Sequence, residues 1–169
     1  MSFEPFLTEP LHIQIHAVAA CLSILLGPVA LYARKGSPVH KSAGYLWVTS
    51  MSVTGISAFF ISGFAVIGPF SPLHLLAISL LWGIVEAMRH VFAGRVALHA
   101  RIMNNLYWFG VVLASAFNFL PGRMVNRMVF DDLREAGFVV LALILFGVVL
   151  REIVSRRGPA DRRRTGARA

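Results

Sequence analysis

The sequence predicts an all-α fold, a polytopic membrane helix bundle of four core transmembrane helices and a fifth. Two observations predict it. The chain is 57% hydrophobic with a mean hydropathy of +0.70, too apolar for a soluble domain, and at 169 residues it is too short for more than one bundle. Its charges stand almost entirely between long uncharged segments, and about 20 apolar residues suffice to cross a bilayer as a helix. A net charge of +8 could point to nucleic acid, but seven of the sixteen Lys and Arg residues lie in the last nineteen positions and the others flank apolar segments. Nucleic acid is therefore not an expected partner; the lipid bilayer is. The single Cys21 lies inside an apolar segment and permits no intramolecular disulfide. Met1 to Pro10 carries Glu4 and Glu9 but no Lys or Arg, the wrong charge for a signal-peptide n-region, so the first apolar segment is expected to be retained.

The single domain, residues 1–155, then divides in order. Between Glu9 and Arg34 lie 24 uncharged residues, giving a first span over 11–32. His12 and His16 share a face there, followed by the small residues Ala20, Ser23 and Gly27, a strip that suits close helix packing or a flat cofactor. From Ser42 to Val85 the 44 residues carry no charge, and Gly68-Pro69-Phe70-Ser71-Pro72 breaks them into two spans, 39–67 and 73–92. Tyr45 and Trp47 stand where an interfacial aromatic belt is expected. Glu86, near the end of the third span, can pair with Arg89 or His90 at helical spacing; an ionisable group at that depth otherwise handles protons.

The fourth span covers 99–121 and ends at Pro121-Gly122, with Asn104, Asn105 and Asn118 as polar insertions suited to interhelical hydrogen bonds. Arg123 to Glu135 mixes charge with apolar residues and reads as a short helix on the membrane surface. The fifth span, 133–154, is built on the 15 uncharged residues Ala136 to Leu150. The basic tail, 156–169, has little to bury and is expected to be disordered and cytoplasmic. With the 34–41 loop cytoplasmic, thirteen Lys and Arg residues face inward and only Arg123, Arg127 and Arg134 face outward. That asymmetry places the N-terminus outside and the C-terminus inside, and it supports the fifth span, without which the seven-Arg tail would face outward.

Several local sequences occur together and in order: Gln14-Ile15-His16-Ala17, Gly27-Pro28, Arg34-Lys35-Gly36-Ser37-Pro38-Val39-His40-Lys41 with Gly44, Phe70-Ser71-Pro72-Leu73-His74-Leu75-Leu76, His99-Ala100-Arg101-Ile102-Met103 and Phe119-Leu120-Pro121-Gly122-Arg123. Over residues 11 to 130 the chain resembles the bacterial predicted membrane proteins of domain-of-unknown-function family 2306. The resemblance implies a fold and a location, a multi-pass protein of the bacterial inner membrane, more than an activity.

Four of the histidines in these motifs sort by depth. His16 and His74 lie toward the outside on spans one and three, and His40 and His99 toward the inside on spans two and four. This layout resembles the two-haem transmembrane b-type cytochromes, and the resemblance implies haem b as cofactor, His16 with His74 and His40 with His99 as axial ligands, and electron transfer with a quinol or another redox partner. Gly44, Gly55 and Gly110 would leave room for the porphyrin, and Arg34, Lys35, Arg101 and Arg123 could pair with its propionates. Two further readings stand beside this one. His12, His16 and His74 could form an outer metal site, since a helical His-x-x-x-His pair with a third imidazole is a competent ligand set. Alternatively the histidines are structural, in a non-catalytic accessory subunit or small-solute carrier. No nucleophile and base recur at helical spacing, so no catalytic residue is assigned.

Overall fold

The computed structural model describes residues 4–61, 72–130, 133 and 135–165, the last of these beyond Val154 by backbone alone. The turn expected at 68–72 and positions 62–67 of the second expected span fall outside the described residues, apart from Pro72. Two compact units divide the chain, Ser2–Ser115 and Ala116–Ala169. Every element among the described residues is helical.

In the first unit, a short turn of helix, α1 (Glu4–Leu7), precedes α2 (Leu11–Tyr32), α3 (Pro38–Ala58), α4 (Pro72–Phe92) and α5 (Val96–Asn105). The last of these continues as a π-helical segment, Leu106–Val112, and then as α6 (Leu113–Ala116), which crosses into the second unit. The helices follow one another round a ring. α2 packs on α3, α3 on α4, α4 on α5 and the π segment, and the π segment returns to α2. Helix α2 therefore lies across from α4, and α3 across from α5. The centre is filled by Trp47, Met51, Leu80, Ile84, Met103 and Tyr107, each at most 7% exposed.

The ring is closed by hydrogen bonds to the backbone of α2. Pro28, inside that helix, has no N–H, so the carbonyl of Ile24 has no helical partner. The Tyr107 hydroxyl donates to it at 3.2 Å. One residue earlier, Trp47 Nε1 donates to the Ser23 carbonyl at 3.0 Å. Gly27 makes the first of these possible, because a Cβ there would run into the Tyr107 ring. Trp47 is thus a core residue, 3% exposed, and not the interfacial residue its position suggested; Tyr45 beside it is 59% exposed.

Helix α3 also corrects the expected second span. It ends at Ala58, short of the expected 67, where Phe59, Phe60 and Ile61 each bond back to the third residue before them. Its length of 21 residues is about 31 Å, enough for the hydrocarbon core. It is not, however, among the helices both long and apolar enough to cross on composition alone. Those are Leu11–Tyr32, Leu73–Phe92 and Ala136–Val154, with the broken pair Val96–Phe119 and Met124–Phe130 as a fourth if counted as one span. The hydroxyl residues of α3 lower its average, yet Thr54 bonds back to the Ser50 carbonyl at 2.9 Å and Ser57 to Val53 at 2.7 Å, which shields their polarity within the helix. The expected pairing of Glu86 with Arg89 is present, at 3.7 Å.

In the second unit the fourth span ends in a 3₁₀ turn, Phe117–Phe119, and Gly122 takes a positive φ of 85° before α7 (Met124–Phe130). A helix is present within the expected stretch, over Met124–Phe130, and it is anchored. Its Asn126 is fully buried and donates to the Phe119 carbonyl at 2.7 Å. Helix α8 (Ala136–Thr165) packs here through Gly137, where a Cβ would collide with that carbonyl and with the Asn126 amide. Its backbone stays helical to Thr165, into the stretch from 156 that composition marks as unfolded and across Gly158-Pro159, for which the residues offer no favourable propensity.

Replacing Tyr107 by Phe leaves the Ile24 carbonyl without a donor and is expected to cost about 1–3 kcal/mol. In a Pro28→Ala background the restored N–H supplies that carbonyl, so the same change should cost about 1 kcal/mol less. Reversible unfolding in bicelles reads both, and strictly additive effects would exclude the link. Gly137→Ala should destabilise the second unit, by about 1–3 kcal/mol, read as loss of protease protection at Met124–Phe130.

Candidate functional site

The four histidines are distributed as two levels on the ring. At the end of α3 near Ser57, His16 from α2 places Nδ1 3.0 Å from the Ser57 hydroxyl, and the ring of His74 from α4 stacks on Phe59 at 5.6 Å between centroids. His74 is 6% exposed. His16 and His74 therefore stand at one level, on helices that face each other across the ring.

At the opposite end, His40 and His99 occupy the first turns of α3 and α5. Ser37 caps α3, accepting from the His40 backbone N–H at 3.2 Å, with Pro38 at the first helical position, so the chain turns back beside α2. This brings His40 Nδ1 to 2.8 Å from the Ala30 carbonyl, in the last turns of α2. His99 Nδ1 lies 3.0 Å from the carbonyl of Ala87, a fully buried residue of α4. Each imidazole thus ties its own helix to the one before it.

Two of these partners fix the proton. A carbonyl only accepts, so Nδ1 of His40 and of His99 carries the hydrogen. At His16 the partner is the Ser57 hydroxyl, which can donate or accept, so this contact orients the ring without fixing its proton. Held like His40 and His99, neutral imidazoles keep the Nε2 lone pair as their remaining basic site. That is the arrangement in which histidines bind metals, the other ring nitrogen donating to a protein acceptor.

The remaining expected site residues are not gathered. His12 is exposed, and among the described residues no three His, Cys, Asp or Glu side chains are gathered into a set that could hold a metal, His12, His16 and His74 included. His16 is turned to Ser57 and His74 to Phe59 instead. Lys35 donates to the Leu31 carbonyl and closes the end of α2. Arg34 and Arg101 are exposed, and Arg123 belongs to the second unit. The small-residue strips are filled: Tyr107 lies over Gly27, Leu80 and Leu81 over Gly55, and Leu80 over Gly110, whereas Gly44, one turn past His40, faces open space.

Sequence reasoning missed Tyr107 and Asn126 as structural donors. A signal for the first was present, because a proline inside a span leaves a carbonyl that needs a donor from elsewhere. Nitrogen-15 NMR of histidine-labelled protein in bilayers should show the neutral rings of His40 and His99 as Nδ1–H tautomers. Nε2–H resonances at His40 or His99 would contradict the bonding described.

A family model described as predicted membrane protein, DUF2306, matches residues 13–155. No curated protein and no solved structure matches. Matched over most of its length, and folded as a bundle of apolar helices, the chain belongs to the DUF2306 family of predicted membrane proteins.

Proposed function

We propose that this protein is a transmembrane electron carrier that holds b-type haem at two levels, His16 with His74 toward one face and His40 with His99 toward the other. The observation that carries the reading is how the imidazoles are held: His40 and His99 each direct Nδ1–H at a backbone carbonyl and His16 places Nδ1 on the Ser57 hydroxyl, on helices that face each other across the ring. A low-spin b haem takes one imidazole on each side of its iron and supplies a one-electron ferric–ferrous couple.

The fit is with the two ends of the bundle. Open space beside Gly44 adjoins His40, while the middle is occupied by Trp47, Met51, Ile84 and Tyr107. In this reading Ser57 and the carbonyls of Ala30 and Ala87 hold the rings in orientation and raise the basicity of Nε2. The apolar centre keeps water from the path between levels. A quinol or a soluble reductant serves as partner at one face. The excess of Lys and Arg in the 34–41 loop, around 89–101 and in the tail supports a bacterial inner-membrane orientation with the N-terminus outside and the C-terminus in the cytoplasm.

The second reading, a non-catalytic accessory subunit or small-solute carrier with structural histidines, draws on the filling of Gly27, Gly55 and Gly110 by side chains. Absorption spectroscopy separates the two. Protein purified from cells supplied with haem precursor should show a Soret band and a reducible α band at two haems per chain. Alanine at His16 or His74 should remove one haem, and alanine at His40 or His99 the other. A featureless spectrum from folded, haem-supplied protein, with the alanine variants altered only in stability, would establish structural histidines instead.

A further inference from the structure

The outward surface of α4 and α5 carries a shallow groove. Its volume is about 290 Å³, and it runs between apolar walls formed by Leu76, Ile102, Leu106 and Phe109, with Gly110 at its floor. Its two polar side chains are Ser79 and Asn105. The Ser79 hydroxyl is used on the Leu75 carbonyl, at 2.8 Å. Asn105 is exposed and has no hydrogen-bond partner among the described residues. It stands six residues past His99, about 9 Å further along the helix, in the stretch read from the sequence as the fourth span and at the point where the helix widens into the π segment.

An amide left unpaired in hydrocarbon costs several kcal/mol, and no water is there to relieve it. The amide also sets the chemistry of what covers it, because it presents donors and an acceptor together. Acyl chains meet neither. A lipid ester or a quinone carbonyl meets only the donors. Helix α8 of the second unit has no hydrogen-bonding side chain from Ala136 to Leu150. A second amide meets both requirements at once.

We propose that this surface is the interface between two copies of the chain, related by a two-fold axis that passes beside Asn105. The two Asn105 amides pair with each other across the axis, and the Phe109 ring of each copy seats in the groove of the other. Such an interface is self-complementary, as a two-fold pair requires. The small residues Ser79 and Gly110 allow the close approach that helix association in lipid depends on. This proposal stands independently of haem binding.

The test is association in vesicles of phosphatidylethanolamine and phosphatidylglycerol, read by energy transfer between donor and acceptor fluorophores fused after Ala169 while the protein is diluted with lipid. The wild type should pair. Asn105→Leu should weaken pairing about tenfold or more while leaving helicity and unfolding temperature unchanged or higher. Asn105→Gln should stay within about threefold of the wild type, and Leu22→Ala, on the exposed face of α2, should have no effect. In a Cys21→Ser background, mild oxidation should crosslink Phe109→Cys and leave Leu25→Cys monomeric. The proposal fails if the wild type is monomeric at every dilution, if Asn105→Leu pairs as tightly as the wild type, if Leu25→Cys crosslinks and Phe109→Cys does not, or if native mass spectrometry finds a monomer carrying a lipid or quinone that Asn105→Leu releases.

Discussion

Inside a bilayer no backbone polar group can be left to solvent, and in this protein that constraint is concentrated at one atom, the carbonyl oxygen of Ile24. Pro28 deprives it of its helical donor, and Tyr107 supplies another from 83 residues away. Much of the ring follows from this bond. It requires Gly27, since any side chain there would displace the phenol ring. It draws the π segment against α2 and so closes a circle that the sequential contacts of α2, α3, α4 and α5 leave open. The wider turn of a π helix re-aims Tyr107 and Val111 inward from a helix that also carries Met103 in the core.

The histidines obey the same constraint from the donor side. In water an imidazole N–H is easily satisfied, and its hydrogen bonds say little about role. Between helices in lipid, an N–H directed at a carbonyl contributes to packing and also fixes which nitrogen keeps its lone pair. His40 and His99 are therefore joints and potential ligands through opposite edges of one ring, and the two roles do not compete. Loss of the ring removes both, which is why optical and stability measurements have to be read together.

The sequence makes the spans legible where charge bounds them. Leu11–Tyr32 and Leu73–Phe92 coincide with the stretches that length and charge mark out, and the fourth span stops ahead of Pro121-Gly122. The end of α3 is illegible for the converse reason: no charge or proline lies between Ser42 and Gly68, and the helix stops through a series of tightened backbone bonds that any residue could form. Trp47 is misplaced by its neighbours, because a tryptophan near a basic loop has the composition of an interfacial belt, and only the carbonyl of Ser23 shows that it points inward. Histidine depth is legible, since it follows from position along a span. What the imidazoles touch is not, because Ser57, Ala30 and Ala87 have no sequence feature that marks them as acceptors. The small-residue strip on α2 illustrates the limit: its pattern is equally that of a cofactor slot and of a bed for an aromatic ring, and at Gly27 the structure contains the ring.

The bond between Tyr107 and Ile24 also imposes an order on assembly. A chain made from its N-terminus completes α2, and then α3, which brings the Trp47 donor to Ser23, long before residue 107 exists. His40 closes the first hairpin on Ala30 and His99 closes the second on Ala87, so each pair of helices can be secured as it is made. Throughout that interval the Ile24 carbonyl waits in the membrane without a partner. The first hairpin is thus complete in its hydrogen bonding only once residue 107 has joined the bundle.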